Sequence, residues 1–563
     1  MTPDGPPRPG GIVDRPSSLK TMERLYLVAF FGQLLLRISR WNVADVDLWG
    51  RLSVPAVFFA CGRLPVRDYF SFTAYGAPWF DHEWLAGFFF HGALATFGGA
   101  GLTLFKWALA LGMLWFLWLV NRRRAAPPLV VFLVAMMALP MWGIGFGATA
   151  RSQNLTYFLF ALLLLLLERI RQRPDRTMIA LVVPIALVWV NVHAGFVVGF
   201  GILVLYVLGS LLNRENARPF AAATGLFAVA TLINPYGWSY LKFVLYAITL
   251  HRPEIAEWAG TNPLKLSYWT FVALSVLALA ALIMAWRERR RDLDWVPVLV
   301  ILATMVFGWR AVKHQALFGV AAVAFLPSVI QWAWPGLFVG RRFRFELRTS
   351  SIEQTTRTWL PAGLTLAALI TLAVLLLTQP HPFDPQLPYG NFNPLGNGNL
   401  PYPVHAVEFL EKAPFRGNLL APFDHGQFLL YCLYPKFRVA VDGRMEEVYP
   451  AATYREMMRF FDSVPPDWTI AEDWNADVVL WPQHASRLTM ADVSPDFVAV
   501  QQDGEYIVFV RRRVLAGPFD ARPEPPRFST GPVYLDDFFR PDDDRVRFSS
   551  YCAEPTMQRG DVR

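Results

Sequence analysis

The chain has 563 residues, of which 54% are hydrophobic and 17% charged, with a formal net charge of +8. That balance lies outside the range of ordinary soluble proteins and points to a membrane class. The Lys and Arg residues sit in short clusters between apolar runs, a distribution that argues against a nucleic-acid-binding face.

In chain order, residues 1–23 form a basic, Pro-rich segment ahead of an apolar run at 25–36. That run lacks a small-residue cleavage site and reads as a retained signal anchor. Apolar stretches of the roughly 20 residues a bilayer core demands fall near 24–41, 101–120, 128–147, 152–168, 177–192, 195–212, 219–235, 268–286, 295–310, 315–334 and 359–378. The expected architecture is therefore a polytopic α-helical membrane protein with about eleven spans.

Charge alternates between the connecting loops. Arg122, Arg123 and Arg124 follow the second span, and Arg169, Arg171, Arg173 and Arg176 the fourth. Arg214 and Arg218 follow the sixth, Arg287, Arg289, Arg290 and Arg291 the eighth, and Arg341, Arg342, Arg344 and Arg348 the tenth. The positive-inside rule puts these loops and the N-terminus in the cytoplasm, with the chain in the inner (plasma) membrane. This orientation requires the apolar stretch 84–97 to lie at the interface without crossing.

After residue 378 a Pro/Gly/Asn-rich linker (379–403) leads to soluble patterning at 404–516. Helices are expected near 404–413, 425–434 and 452–463, and strands near 417–421, 437–441, 477–481, 497–501 and 505–511. Together they make a small α/β domain on the external (periplasmic) side. Residues 517–563, rich in Pro, Asp and Arg, read as a disordered tail. The three cysteines, Cys61, Cys432 and Cys552, are widely spaced and suggest neither a disulfide framework nor a zinc site.

The odd-numbered, external loops carry polar residues that a mere connector does not need. The long first loop, 42–100, holds Asp45 and Asp47, a Pro65-to-Asp68 stretch, and Trp79-Phe80-Asp81-His82-Glu83-Trp84. Later external loops hold Arg151, Asn191 and His193, then Asn234-Pro235-Tyr236-Gly237, Glu254 and Glu257, and finally Arg310, Lys313 and His314. A charge at membrane depth costs about 2.5–3.5 kcal/mol on insertion scales, which makes those near span ends functional candidates. An acidic pair can act as general base or hold a divalent ion, and neighbouring cations can stabilise a phosphate leaving group. Each residue also has a plainer reading: Asp45 or Asp47 as a helix cap, His193 as a turn residue, Arg310 and Lys313 as headgroup anchors, Asn234 to Gly237 as a turn.

An acidic motif in a long first external loop, followed by a Pro-x-x-Asp stretch and a Trp-rich interfacial helix, resembles the GT-C superfamily of lipid-phosphate-sugar-dependent glycosyltransferases. The similarity is to its bacterial members related to dolichyl-phosphate-mannose-protein mannosyltransferases. The resemblance implies a polyprenyl-phosphate-linked sugar donor and a glycan, lipid or protein acceptor. It also implies Asp47 first, and Asp45 second, as catalytic base. It assigns the donor phosphate to Arg151 first and to Arg310 and Lys313 after it, while His82, Glu83, Asn191, His193 and His314 join them as substrate-binding candidates from their place in the external loops. Any divalent cation (Mg or Mn) would fall to Asp45 and Asp47. In the C-terminal domain, 422–428 and Val441-Asp442-Gly443-Arg444 are similar to the Trp-Trp-Asp-Tyr-Gly region of oligosaccharyltransferase catalytic subunits, but both tryptophans and the tyrosine are missing. Asp424 and Asp442 are accordingly expected to be structural residues at strand ends. Transfer from a lipid-diphosphate-linked glycan and transport of a polyprenyl-linked glycan stay open as alternatives.

Overall fold

The computed structural model describes residues 42–147, 150–250, 255–335, 383–388, 401–463, 465–483, 488, 492–515 and 533–554. The expected spans at 24–41 and 359–378, and most of the linker, lie outside them. The chain divides into two compact units.

The first unit comprises residues 1–41, 105–148 and 152–382, and its described residues are helical. Its elements include Pro128–Ala138, Ser152–Gln172, Val182–Val192, Phe196–Leu212, Arg218–Ala230, Gly237–Thr249, Trp269–Glu288, Trp295–Arg310 and Gln315–Ala333. Many present large apolar side chains outward, among them Leu211, Val229, Leu245, Val276 and Val306, as helices solvated by lipid tails do. Among the described residues five helices are long and apolar enough to cross a membrane: Trp84–Arg123, Pro128–Phe146, Ser152–Gln172, Leu266–Glu288 and Val312–Ala333. The remaining apolar helices are shorter, so length supports a polytopic membrane protein but not the count of eleven.

The helix Trp84–Arg123 is two helices joined at a break. Phe97 (φ −134°) and Gly98 (φ 61°, ψ −157°) leave helical geometry, and the positive φ at Gly98 is one that side-chain-bearing residues rarely adopt. Residues 84–96 are thus a separate helical segment from the one that follows.

At one end of the helical unit the basic loops converge. Arg124 pairs with Glu168 at 2.8 Å and Asp294 at 3.0 Å, and Arg171 with Asp294 at 2.6 Å and Glu215 at 2.7 Å. Asn213 donates to Asp294 at 2.9 Å. Side chains from the exits of the second, fourth, sixth and eighth expected spans therefore meet at one end of this unit.

The second unit joins residues 42–104 and 149–151 to 383–563. The long first loop and the C-terminal α/β region fold together, where the sequence pattern suggested separate parts. The strands are β1 (Gln386–Leu387), β2 (Gly417–Leu420), β3 (Phe437–Val439), β4 (Val478–Pro482), β5 (Phe497–Gln502), β6 (Tyr506–Arg511) and β7 (Val533–Tyr534). A mixed five-stranded sheet runs β3-β2-β4-β6-β5, with β2 parallel to β3 and β4, and β6 antiparallel to β4 and β5. The first loop extends this sheet: Val439 N–H donates to Phe70 O and Phe72 N–H to Val439 O, each at 3.1 Å. β4 is buried along its whole length. Its Trp481 packs on Phe460 and Phe461 of the helix Ala451–Asp462, an aromatic cluster of the kind that dominates core energetics.

Two expectations fail here. Residues 533–554, placed in a disordered tail, form β7 paired antiparallel with β1 and the helix Pro541–Phe548. Cys61 and Cys552, thought too far apart to signal a disulfide, are bonded to each other across 491 residues. Composition misjudged the tail because its few apolar residues, Val533, Leu535, Phe548 and Tyr551, are buried and do the anchoring.

Candidate active site

Asp45 and Asp47 sit where the chain enters the helix Leu48–Cys61. Asp47 occupies the N-cap position but makes no side-chain capping bond, so its carboxylate is not spent on the helix end. Asp45 closes a turn: its Oδ1 accepts the Asp47 backbone N–H at 3.1 Å. Arg151 faces both, with Nε 3.2 Å from Asp45 Oδ2 and Nη2 3.3 Å from Asp47 Oδ2. The three residues proposed from separate loops meet in space. They differ in access, the Asp47 side chain being 39% exposed and that of Asp45 11%.

Part of the Asp47 carboxyl stays open to solvent, and the surrounding protein strips water from the rest. That desolvation, helped by the Asp45 carboxylate, pushes it up to about 7 against the pull of Arg151 and Arg51.

The next turns of the same helix fasten it to the C-terminal domain. Trp49 is fully buried, its indole N–H donates to the Tyr402 hydroxyl at 3.2 Å, and its ring packs on Phe428 and Tyr431. Gly50 N–H donates to Gln427 Oε1 at 3.1 Å. Arg51 is buried and pairs with Asp81 at 2.7 Å, Glu83 at 2.6 Å and Glu447 at 3.5 Å. His82 joins this cluster, 2.7 Å from Glu447 and 3.4 Å from Glu83. Burial alone would lower the imidazole, but Glu447 and Glu83 override it and push it up to about 10, so it is an imidazolium at neutral pH. His82 and Glu83, expected to bind substrate, thus face the charges of Arg51 and Glu447.

A second buried cluster lies under the Val441-Asp442-Gly443-Arg444 motif. Arg444 pairs with Asp68 at 2.8 Å and Asp442 at 2.6 Å, and its guanidinium lies over the Trp79 ring at 4.7 Å. Asp442 also accepts from the Tyr449 hydroxyl at 2.6 Å. Burial would raise Asp442, yet Arg444 and these hydrogen bonds hold its carboxyl below the ordinary range. Asp442 is therefore a structural anchor. Asp424 lies in the first turn of the helix Phe423–Leu433 and not at a strand end, and burial pushes its carboxyl up to about 6.

The remaining candidates belong to the helical unit. Asn191 donates to Leu187 O at 2.8 Å and Ile233 O at 3.1 Å, tying two helix ends together. His193 follows the helix Val182–Val192, where its Nδ1 accepts the Gly195 N–H at 2.8 Å and meets Thr156 Oγ1 at 2.9 Å. Lys313 Nζ lies 3.1 Å from the centre of the Trp258 ring, and His314 packs edge-on to Trp258 and Phe307. Arg310 ends the helix Trp295–Arg310 and is exposed.

Sequence reasoning passed over Arg51, Gln427 and Glu447. Arg51 had a visible signal, a charge inside the apolar helix Leu48–Cys61. Gln427 and Glu447 had none, because their importance rests on partners more than 300 positions away.

As for a divalent ion, Mg and Mn draw on several oxygen ligands. The two carboxylates turn their Oδ2 atoms to Arg151, and no cluster of three or more His, Cys, Asp or Glu suited to a metal occurs among the described residues. This donor set does not fit a dedicated cation site, and no step is routed through one.

No family model matches the chain, and no curated protein matches it. Among solved structures it is similar to ArnT from Cupriavidus metallidurans in the apo state, at 14% identity and a TM-score of 0.46, covering 89% of this chain and 100% of that one. It is also similar to an oligosaccharyltransferase from Archaeoglobus fulgidus in complex with Zn and sulfate, at 11% identity and a TM-score of 0.44, covering 81% and 67%.

Proposed function

We propose that the protein is a membrane glycosyltransferase that moves a sugar from a polyprenyl-phosphate donor to an acceptor hydroxyl on the external face of the membrane. The observation that carries this reading is the meeting of Asp45, Asp47 and Arg151, an acidic pair and a cation drawn from different loops. Asp47, the more exposed carboxylate and the one pushed up to about 7, takes the proton of the attacking hydroxyl. The hydroxyl oxygen bonds to the anomeric carbon, and the bond from that carbon to the carrier phosphate breaks with its electron pair. Arg151 offers the guanidinium fork that a departing phosphate needs. Asp45 holds the turn and shares Arg151. The Cys61–Cys552 disulfide favours an oxidising compartment for this unit, in keeping with an external site.

The test uses a deletion strain and its lipids. Carrier-linked sugar accumulating without the protein, identified by mass spectrometry, names the donor. Full-length Asp47→Asn is expected to lose about 10²–10⁴-fold in transfer, the usual contribution of a positioned base. A correctly inserted Asp45→Asn, Asp47→Asn double variant with full activity would sink the reading.

A further inference from the structure

Asp47 makes no capping bond to its own helix, so other parts of the second unit settle where its carboxylate lies. Oδ2 rests against Arg151 at 3.3 Å. Oδ1 borders the loop 441–444, where a Cβ built on Gly443 would stand 2.9 Å from it. Gly443 has no positive φ, so its backbone does not itself call for glycine. What the position requires is space.

The loop around Gly443 is fixed from two directions. Asp442 accepts from Arg444 through Nε at 2.8 Å, Nη2 at 2.6 Å and the backbone N–H at 3.0 Å, and Arg444 is anchored in turn on Asp68. On another side Gly426 lets the helix Phe423–Leu433 close onto the loop, since a Cβ there would stand 2.5 Å from Val441 O. Held this way the loop is a firm support, and Gly443 is the point at which it meets the base.

The neighbours decide what would give way to a side chain at 443. Ordinary contact begins at 3.4 Å, so an alanine Cβ would crowd two atoms, Asp47 Oδ1 at 2.9 Å and Gln427 Nε2 at 2.8 Å. Gln427 is buried and its Oε1 accepts the Gly50 N–H at 3.1 Å, which tethers it. Asp47 is partly open to solvent and unbonded to its helix end, so it is the one that moves. Both crowded atoms end flexible side chains, so the fold is expected to survive while the carboxylate is displaced.

We propose that Gly443 is a positioning residue of the site: its missing side chain lets the loop 441–444 seat against Asp47 Oδ1 and hold the carboxylate between that support and Arg151. Gly443 acts through Asp47, and this assignment rests on the reading of Asp47 as base.

The experiment uses the full-length protein in nanodiscs, with membranes of the deletion strain as the probe that supplies both carrier-linked sugar and unmodified acceptor. Product is followed by mass spectrometry against membrane dilution, and folding by thermal scanning. Gly443→Ala is expected to lower the apparent kcat about 10–10²-fold, the effect of displacing a reacting group by up to about 1 Å, with the apparent KM unchanged. Asp47→Ala takes the crowded carboxylate away. Gly443→Ala should therefore lower the unfolding temperature less in that background than in the unaltered protein. An equal drop in both backgrounds would overturn the proposal. An unaltered kcat in Gly443→Ala beside an inactive Asp47→Asn removes this assignment and leaves the Asp47 reading standing. A raised KM at unchanged kcat does the same, because it puts the loop against the acceptor. If Asp47→Asn is active, or the unaltered protein forms no product, both fall. Should Gly443→Ala fail to fold alone yet fold beside Asp47→Ala, the added Cβ meets Asp47 as proposed; failure in both overturns the proposal.

Discussion

Asp47 is the residue on which the proposed chemistry turns, and its environment makes opposite demands on activity and stability. As a base it works only when ionised, so transfer by the intact protein is expected to rise with pH around a midpoint near 7, and this limb should vanish in Asp47→Asn. The sign of the stability effect follows from the same shift. The folded protein holds this proton up to about pH 7, whereas an unfolded aspartate releases it near the ordinary value of about 3.9. Between those limits the native state binds more protons than the unfolded one, so stability falls as pH rises through the window. Asp47→Asn should therefore raise the unfolding temperature at pH 8, by thermal scanning, while removing transfer. The exposure of the side chain keeps that gain small. Asp45 carried the same letter in the sequence two positions away, and only its turn bond and lower exposure separate the two roles.

Among the elements, the helix Leu48–Cys61 is the one that connects site and fold. Its first turns present Asp47, then Trp49, Gly50 and Arg51 to partners that include the C-terminal motifs at 423–433 and 441–447. Within these stretches, 423–428 and 441–444 carried the partial similarity to a Trp-Trp-Asp-Tyr-Gly region, and Asp442 and Arg444 are buried and paired with each other. Arg444 balances two buried carboxylates, Asp68 and Asp442. Removing one partner of such a group leaves uncompensated charge, at a cost of about 3–5 kcal/mol. Arg444→Leu is thus expected to destabilise the second unit by about that amount in denaturant unfolding, and the loss should shrink when Asp68→Asn and Asp442→Asn accompany it. A loss of less than about 1 kcal/mol would mean that the pairing is dispensable.

For the whole molecule, the bond from Cys61 to Cys552 ties the first loop to the C-terminal segment. Loss of a native disulfide costs about 2–5 kcal/mol, so Cys61→Ser is expected to lower the unfolding temperature without changing the acceptor KM. Alkylation of intact cells, read on non-reducing gels, should find the pair oxidised. A reduced pair would place this unit on the reducing side and contradict the assigned orientation. Much of the architecture was legible from local pattern. Hydropathy reports the membrane helices, loop charge groups the basic loops that Arg124, Arg171 and Asp294 do join, and alternation finds the strands of the α/β region. These signals are written in neighbouring residues, because a helix face or a strand face repeats within a few positions. The span count was less accessible, since several apolar helices are shorter than a bilayer core requires. Partnership across distance was not written there at all. The joining of the first loop to the C-terminal domain, the disulfide, and the pairing of Arg51 and His82 with Glu447 depend on contacts between residues hundreds of positions apart. One chain carries no periodic trace of such contacts, so only packing in three dimensions could decide them.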